Sequence, residues 1–146
     1  MTNKDHDIED AGGFKYMGTV INNTNDETEE IKATILAANK AYSSLHAIFR
    51  SQQIHRNNKI RSYKILIKPT MCYGSVTWTL TQMTEQMLCT FERKTSRSIY
   101  GPIQDEGRWL PRWNSAVYNL YKELNIVCDI KIRRLRWTGH IRMEDE

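Results

Sequence analysis

The most telling absence is acid. From Ile31 to Thr84 the chain carries no aspartate or glutamate. Polymerases and nucleases hold two metal ions with clustered carboxylates, so that stretch offers nothing for such chemistry. The other acids stand near the N-terminus, in the first turn of an expected helix, or singly. Asp5 and Asp7 form a D-x-D with no strand to position them, and Asp105-Glu106 falls in a Gly/Pro-flanked loop. Neither pair reads as a metal site. Cysteine is scarce too: Cys72, Cys89 and Cys128 are odd in number and widely spaced. None stands at zinc-ligand spacing with any of the four histidines, so they are expected to be free core thiols. No Walker loop and no Gly-x-Ser-x-Gly elbow occurs. No cofactor, no metal and no catalysis by this chain alone are expected. No apolar run approaches the roughly 18 residues a membrane span needs. Thr2 to Asp10 is polar and acidic, unlike a secretory leader. The expectation is an intracellular protein, nuclear or cytoplasmic, with no membrane partner.

What the chain has in quantity is base, unevenly placed. Its 146 residues carry a net charge of +4. Residues 1–30 hold eight acids and two bases, a balance of −6, whereas residues 31–146 hold nineteen bases and nine acids, a balance of +10. Six bases lie between Arg50 and Lys68 with no acid among them. Clustered charge of one sign attracts polyanions such as nucleic acid. The plainer alternative is a solvated surface.

The hydrophobic fraction of 40% suits a mainly α fold with a thin core. Residues 1–13 have no period and are expected to be a disordered tail. Residues 14–23 alternate around Gly18 and predict a short β-hairpin. Residues 24–146 predict four to five helices in a bundle. Thr24 and Glu27 fit a capping box for the first of them. Ile31, Ile35, Ala38, Tyr42, Leu45 and Phe49 then recur three and four residues apart, one narrow apolar seam. Such a seam needs a partner helix, inside the chain or outside it. A second helix is predicted from about Asn57 to Lys68, stopped by Pro69. It sets Ile60, Tyr63 and Ile67 beside a basic stripe of Arg61, Lys64 and Lys68. Residues 71–80 are apolar and broken by Gly74, and both helical and extended readings stay open. Thr84 is the expected cap of a third helix that ends at Gly101-Pro102. Its period weakens at Thr95, Ser96 and Ser98, which predicts a less stable second half. Residues 101–113 read as a loop. Asn114 is the expected cap of a fourth helix, and a fifth is predicted from about Asp129.

Two basic clusters follow: Arg56, Lys59, Arg61, Lys64 and Lys68, then Lys131, Arg133, Arg134, Arg136 and Arg142. Each can neutralise phosphates and release counterions. Trp78, Trp109, Trp113 and Trp137 can stack on bases or pack between helices.

Several strings resemble, in order, one family. Phe14-Lys15-Tyr16-Met17-Gly18 resembles the F-K-Y-L-G element of non-LTR retrotransposon reverse transcriptases. Residues 67–75 (I-K-P-T-M-C-Y-G-S) resemble the family's I-K-P stretch, with Trp78 its following tryptophan. Phe91-Glu92-Arg93-Lys94 is similar to its F-E-R-K helix, and residues 133–140 (R-R-L-R-W-T-G-H) to its R-R-L-x-W-x-G-H, continued by Arg142-Met143. The resemblance covers about residues 14–143. It implies a primer-grip-like hairpin at Phe14, Tyr16 and Gly18, followed by a thumb-like helical region that cradles a template–primer duplex. The parent activity it implies is RNA-directed DNA polymerase within a transposable element. The family's palm aspartates and endonuclease have no counterpart here, so a truncated, non-catalytic copy is the expectation. The implied contacts with an RNA–DNA hybrid or duplex fall to Lys15, Arg56, Lys59, Arg61, Lys64, Lys68, Arg133, Arg134 and Arg136. The competing expectation is a helical interaction module, joined to a partner helix or a second copy through the seam of residues 31–49.

Overall fold

A computed structural model describes residues 13–16, 19–22, 27–123 and 125–144. The predicted hairpin is present: β1 (Gly13–Tyr16) pairs antiparallel with β2 (Thr19–Asn22), Phe14 opposite Ile21 and Tyr16 opposite Thr19. Gly13 thus belongs to the strand and not to a tail, and the remaining tail residues lie outside the described residues. The rest is mainly helical, with β2 lying beside the first helix.

Helix α1 (Thr28–Arg50) carries the apolar seam. Ile31, Ala38, Tyr42 and Phe49 are buried, while Ile35 and Leu45 are half-buried against the same core. The partner the seam needs is inside the chain, chiefly α4 (Gln82–Tyr100). The residue flanking α1 is Glu27, with no side-chain cap, and Glu29 and Glu30 fill the first turn. Thr24, the expected cap, lies outside the described residues.

The second helix does not stop at Pro69. Helix α2 (Arg56–Ser62) runs through a π-helical turn (Tyr63–Ile67) into α3 (Lys68–Cys72). At the turn the Lys68 amide reaches back to the Tyr63 carbonyl, five residues away. A proline inside a regular helix strands a carbonyl four residues back and crowds it. The widened turn resets the hydrogen-bond register just before the ring, so Pro69 sits in the first turn of α3, where its missing N–H costs nothing. The path ends at Tyr73, and Gly74 (φ 70°) leads into a short 3₁₀ turn, Ser75–Thr77. Trp78 follows, fully buried.

Helix α4 is the hub, packing on α1, α2, α5 (Asn114–Tyr121) and α6 (Ile126–Glu144). Its cap is Thr81, not Thr84. The Thr81 hydroxyl accepts from the Thr84 amide, and the Thr84 hydroxyl accepts from the Thr81 amide at 2.9 Å. Thr84 thus takes the glutamate's part in a capping box. The weak period at Thr95 and Ser96 has a different meaning from the one expected. Both residues are buried, and the Thr95 hydroxyl donates to the Phe91 carbonyl at 3.1 Å. A helix surrounded by neighbours needs small side chains at close approaches, not a single apolar stripe. It ends at Gly101 (φ 69°), where a residue with a β-carbon would be strained.

Residues 101–113 are not a plain loop. Ile103–Asp105 (β3) and Arg108–Leu110 (β4) form a second small hairpin with Gln104 opposite Trp109. Trp113 flanks the start of α5, so Asn114 is not its cap. The Asn114 carbonyl oxygen instead accepts from Arg97 at 2.5 Å. Helix α6 begins at Ile126, three residues before the expected start, with the Asn125 side chain accepting from the Cys128 amide at 2.9 Å. Ile126, Val127 and Ile130 are buried, whereas every residue from Leu135 to Met143 is exposed.

Candidate nucleic-acid interface

The two basic clusters do meet, but they meet around acids. Lys64 on the π turn pairs with Glu123. Lys68 on α3 approaches Asp129 on α6 at 3.3 Å, and Arg133, one turn further along α6, reaches the same carboxylate at 3.5 Å. Lys131 pairs with Glu85 at 2.6 Å. Lys68 thus ties α3 to α6 and Lys131 ties α6 to α4, and all four cations have a carboxylate beside them. Glu92, the acid of the F-E-R-K string, has a structural task as well. It is 1% exposed, and its two carboxylate oxygens accept from the Ile126 amide at 3.1 and 3.2 Å. A carboxylate at the first amide of α6 satisfies a donor the helix cannot. Burial pushes the Glu92 carboxyl above its ordinary value, against the lowering effect of the Ile126 hydrogen bond and of Lys68. The neighbouring Tyr63 phenol is pushed well above 10 by burial and by the Glu92 charge.

Other cations have no carboxylate partner among the described residues. Arg61, Arg134 and Arg136 are of this kind, with Arg61 and Arg136 exposed and Arg134 half-buried. Arg56 stands over the Tyr100 ring at 5.6 Å from its centroid. Lys59 is 8% exposed and makes no ion pair or hydrogen bond with its side chain among the described residues. Arg56 and Lys59 share the wall of one cavity of about 940 Å³ with Arg50 and Arg97. The cavity lies where the C-terminal end of α1, the segment 51–55, α2 and the C-terminal end of α4 come together. Among the described residues no aspartate or glutamate lines it.

No family model, no curated protein and no solved structure matches this chain. The reading of the site therefore rests on its residues.

Of the residues singled out in the hairpin, Phe14 and Tyr16 are exposed at 55% and 60%, while Gly18 and the Lys15 side chain lie outside the described residues. The tryptophans divide. Trp78 is core, but Trp109, Trp113 and Trp137 are 67%, 78% and 50% exposed and do not pack between helices. Arg97 had no signal in the sequence. It is a single base in the last turn of α4, after Arg93 and Lys94, and only the fold brings it beside Arg50 and Arg56. There it donates to the Arg112 carbonyl at 3.2 Å and to Asn114, holding the second hairpin's exit against α4. Cys72 is buried, Cys89 partly buried and Cys128 exposed, all as free thiols. Burial pushes the Cys72 thiol up to about 11. Among the described residues no group of His, Cys, Asp and Glu is arranged to hold a metal ion, and no helix is long and apolar enough to cross a membrane.

Proposed function

We propose that this chain is a non-catalytic nucleic-acid-holding unit, similar in role to the thumb of a non-LTR retrotransposon reverse transcriptase. The observation that carries the reading is the gathering of cations without a carboxylate partner among the described residues: Arg50, Arg56, Lys59 and Arg97 around one cavity, while Lys64 and Lys68 nearby are held in ion pairs. Exposed Trp109 and Trp113 add aromatic faces of the sort that stack on bases. The polyanion is a template–primer duplex, an RNA–DNA hybrid above all. The competing reading, docking through residues 31–49, loses its motive because α4 and its neighbours already cover that seam.

The test is a fluorescence titration of the purified chain against an RNA–DNA hybrid over a range of salt. Each neutralised phosphate should contribute about −0.9 to the slope of log K against log salt, so a total near −3 is expected for three to four contacts. No primer extension should accompany binding. An affinity indifferent to salt, or no affinity, overturns the reading.

A further inference from the structure

The acid-free cavity holds more than charge. Lys59 on its wall is 8% exposed as a residue, and its ammonium has no ion pair among the described residues. Ser98 Oγ and the Tyr100 hydroxyl, on cavity-lining residues of α4, are covered oxygens with no hydrogen-bond partner among the described residues. Leaving such groups unmet costs free energy that folding would avoid unless something meets them. Two separate oxygens on the cavity's α4 side share that condition, and among the described residues every charged side chain lining it is positive.

Arg97 is committed to Arg112 and Asn114, so it contributes field and not a free hand. Arg50, Arg56 and Lys59 are the donors left. Their spread over α1 and α2 suits a tetrahedral anion gripped from several sides, since guanidinium and ammonium groups favour phosphate oxygens. The volume of about 940 Å³ is far too large for phosphate alone and lies in the range of small-molecule sites. Tyr42, His46 and Ile54 also line it and supply aromatic and apolar surface.

We propose that this cavity is a receptor for a nucleotide unit, its phosphate held by Arg50, Arg56 and Lys59 and its base lying toward Tyr42 and His46. The phosphate comes either from a free nucleotide or from the phosphorylated end of a strand. The site shares its cations with the duplex reading and asks more of them, that they close on one phosphate inside a pocket. A different account is available for two of the cations. Arg50 and Arg97 stand in the last turns of α1 and α4, where bases complement the helix dipole. That account does not extend to Arg56 and Lys59 on α2, and it predicts no ligand.

Calorimetry with adenosine monophosphate, inorganic phosphate, and a short single strand with and without a 5′-phosphate decides the matter. The monophosphate should bind more tightly than inorganic phosphate. A preference for the phosphorylated strand over its unphosphorylated twin assigns the strand end, and equal binding of the twins with tight monophosphate binding assigns the free nucleotide. Lys59→Met, which keeps the stem, should weaken binding about ten- to a hundredfold, as loss of a charge-assisted contact does. Arg50→Gln, at an exposed position that the fold does not need, should weaken it similarly. Lys40→Gln, at an exposed position of α1 that does not line the cavity, should change nothing. Absence of binding by any phosphate compound, or binding reduced equally by Lys40→Gln, overturns the proposal. Duplex affinity that survives while nucleotide binding fails removes this site and leaves the thumb-like reading standing.

Discussion

At the scale of single residues, Glu92 shows how a charge can be structural and costly at once. Its carboxylate caps α6 from inside the core, and burial holds its carboxyl above 4.5. The folded state therefore binds that proton more tightly than the unfolded chain does. The contribution to stability is fully present below the ordinary carboxyl value and is lost as pH rises through the raised one. Glu92→Gln keeps an oxygen for the Ile126 amide and removes the titration. Denaturant melts at pH 4 and pH 7 should show the natural protein losing stability relative to this variant as pH rises. A difference that does not move with pH would contradict the burial effect. Glu92→Ala strands the Ile126 amide and should cost about 1–3 kcal/mol at either pH.

At the scale of elements, the start of α4 rests on two threonines where a reader of sequences looks for one cap. Thr84 precedes the apolar period and so marks the expected start, yet Thr81 is the capping residue and Thr84 the third residue of the helix. Thr81→Ala should cost about 1 kcal/mol, read from the urea midpoint at unchanged m-value. If Thr84 alone capped the helix, Thr81→Ala would be silent. Pro69 teaches a related lesson. Its chemistry forbids a regular helix, and the expectation of a stop was sound for such a helix. The π turn at Tyr63–Ile67 is a solution that no local residue signals, because it is selected by the burial of both Tyr63 and Ile67 against the core.

At the scale of the whole molecule, burial grades the three thiols. Cys128 is exposed, Cys89 is partly buried and its thiol is raised by burial, and Cys72 is buried with its thiol near 11. Only thiolate reacts readily with alkylating reagents. At pH 8, mass spectrometry should find Cys128 modified first and Cys89 more slowly. Cys72 should react only at the rate of global unfolding, accelerating with urea in step with the loss of helix. Early labelling of Cys72 would mean that the α3–α6 contact opens on its own.

The amphipathic period of α1, the glycine stop of α4 and the mainly helical class were legible in residues 28–50 and 82–101, because periodicity and backbone freedom are local properties. The base-rich, acid-free stretch was legible too, since composition needs no coordinates. The second hairpin was hidden by its shortness, and α4's small buried residues by a periodicity that serves four neighbours at once. The fate of each cation was the decision of the tertiary structure. Lys64, Lys68, Lys131 and Arg133 met acids distant in sequence or one turn away, while Arg50, Arg56, Lys59 and Arg97 met none among the described residues. Charge is a property of the residue, but whether a charge is already answered depends on which helix packs beside it.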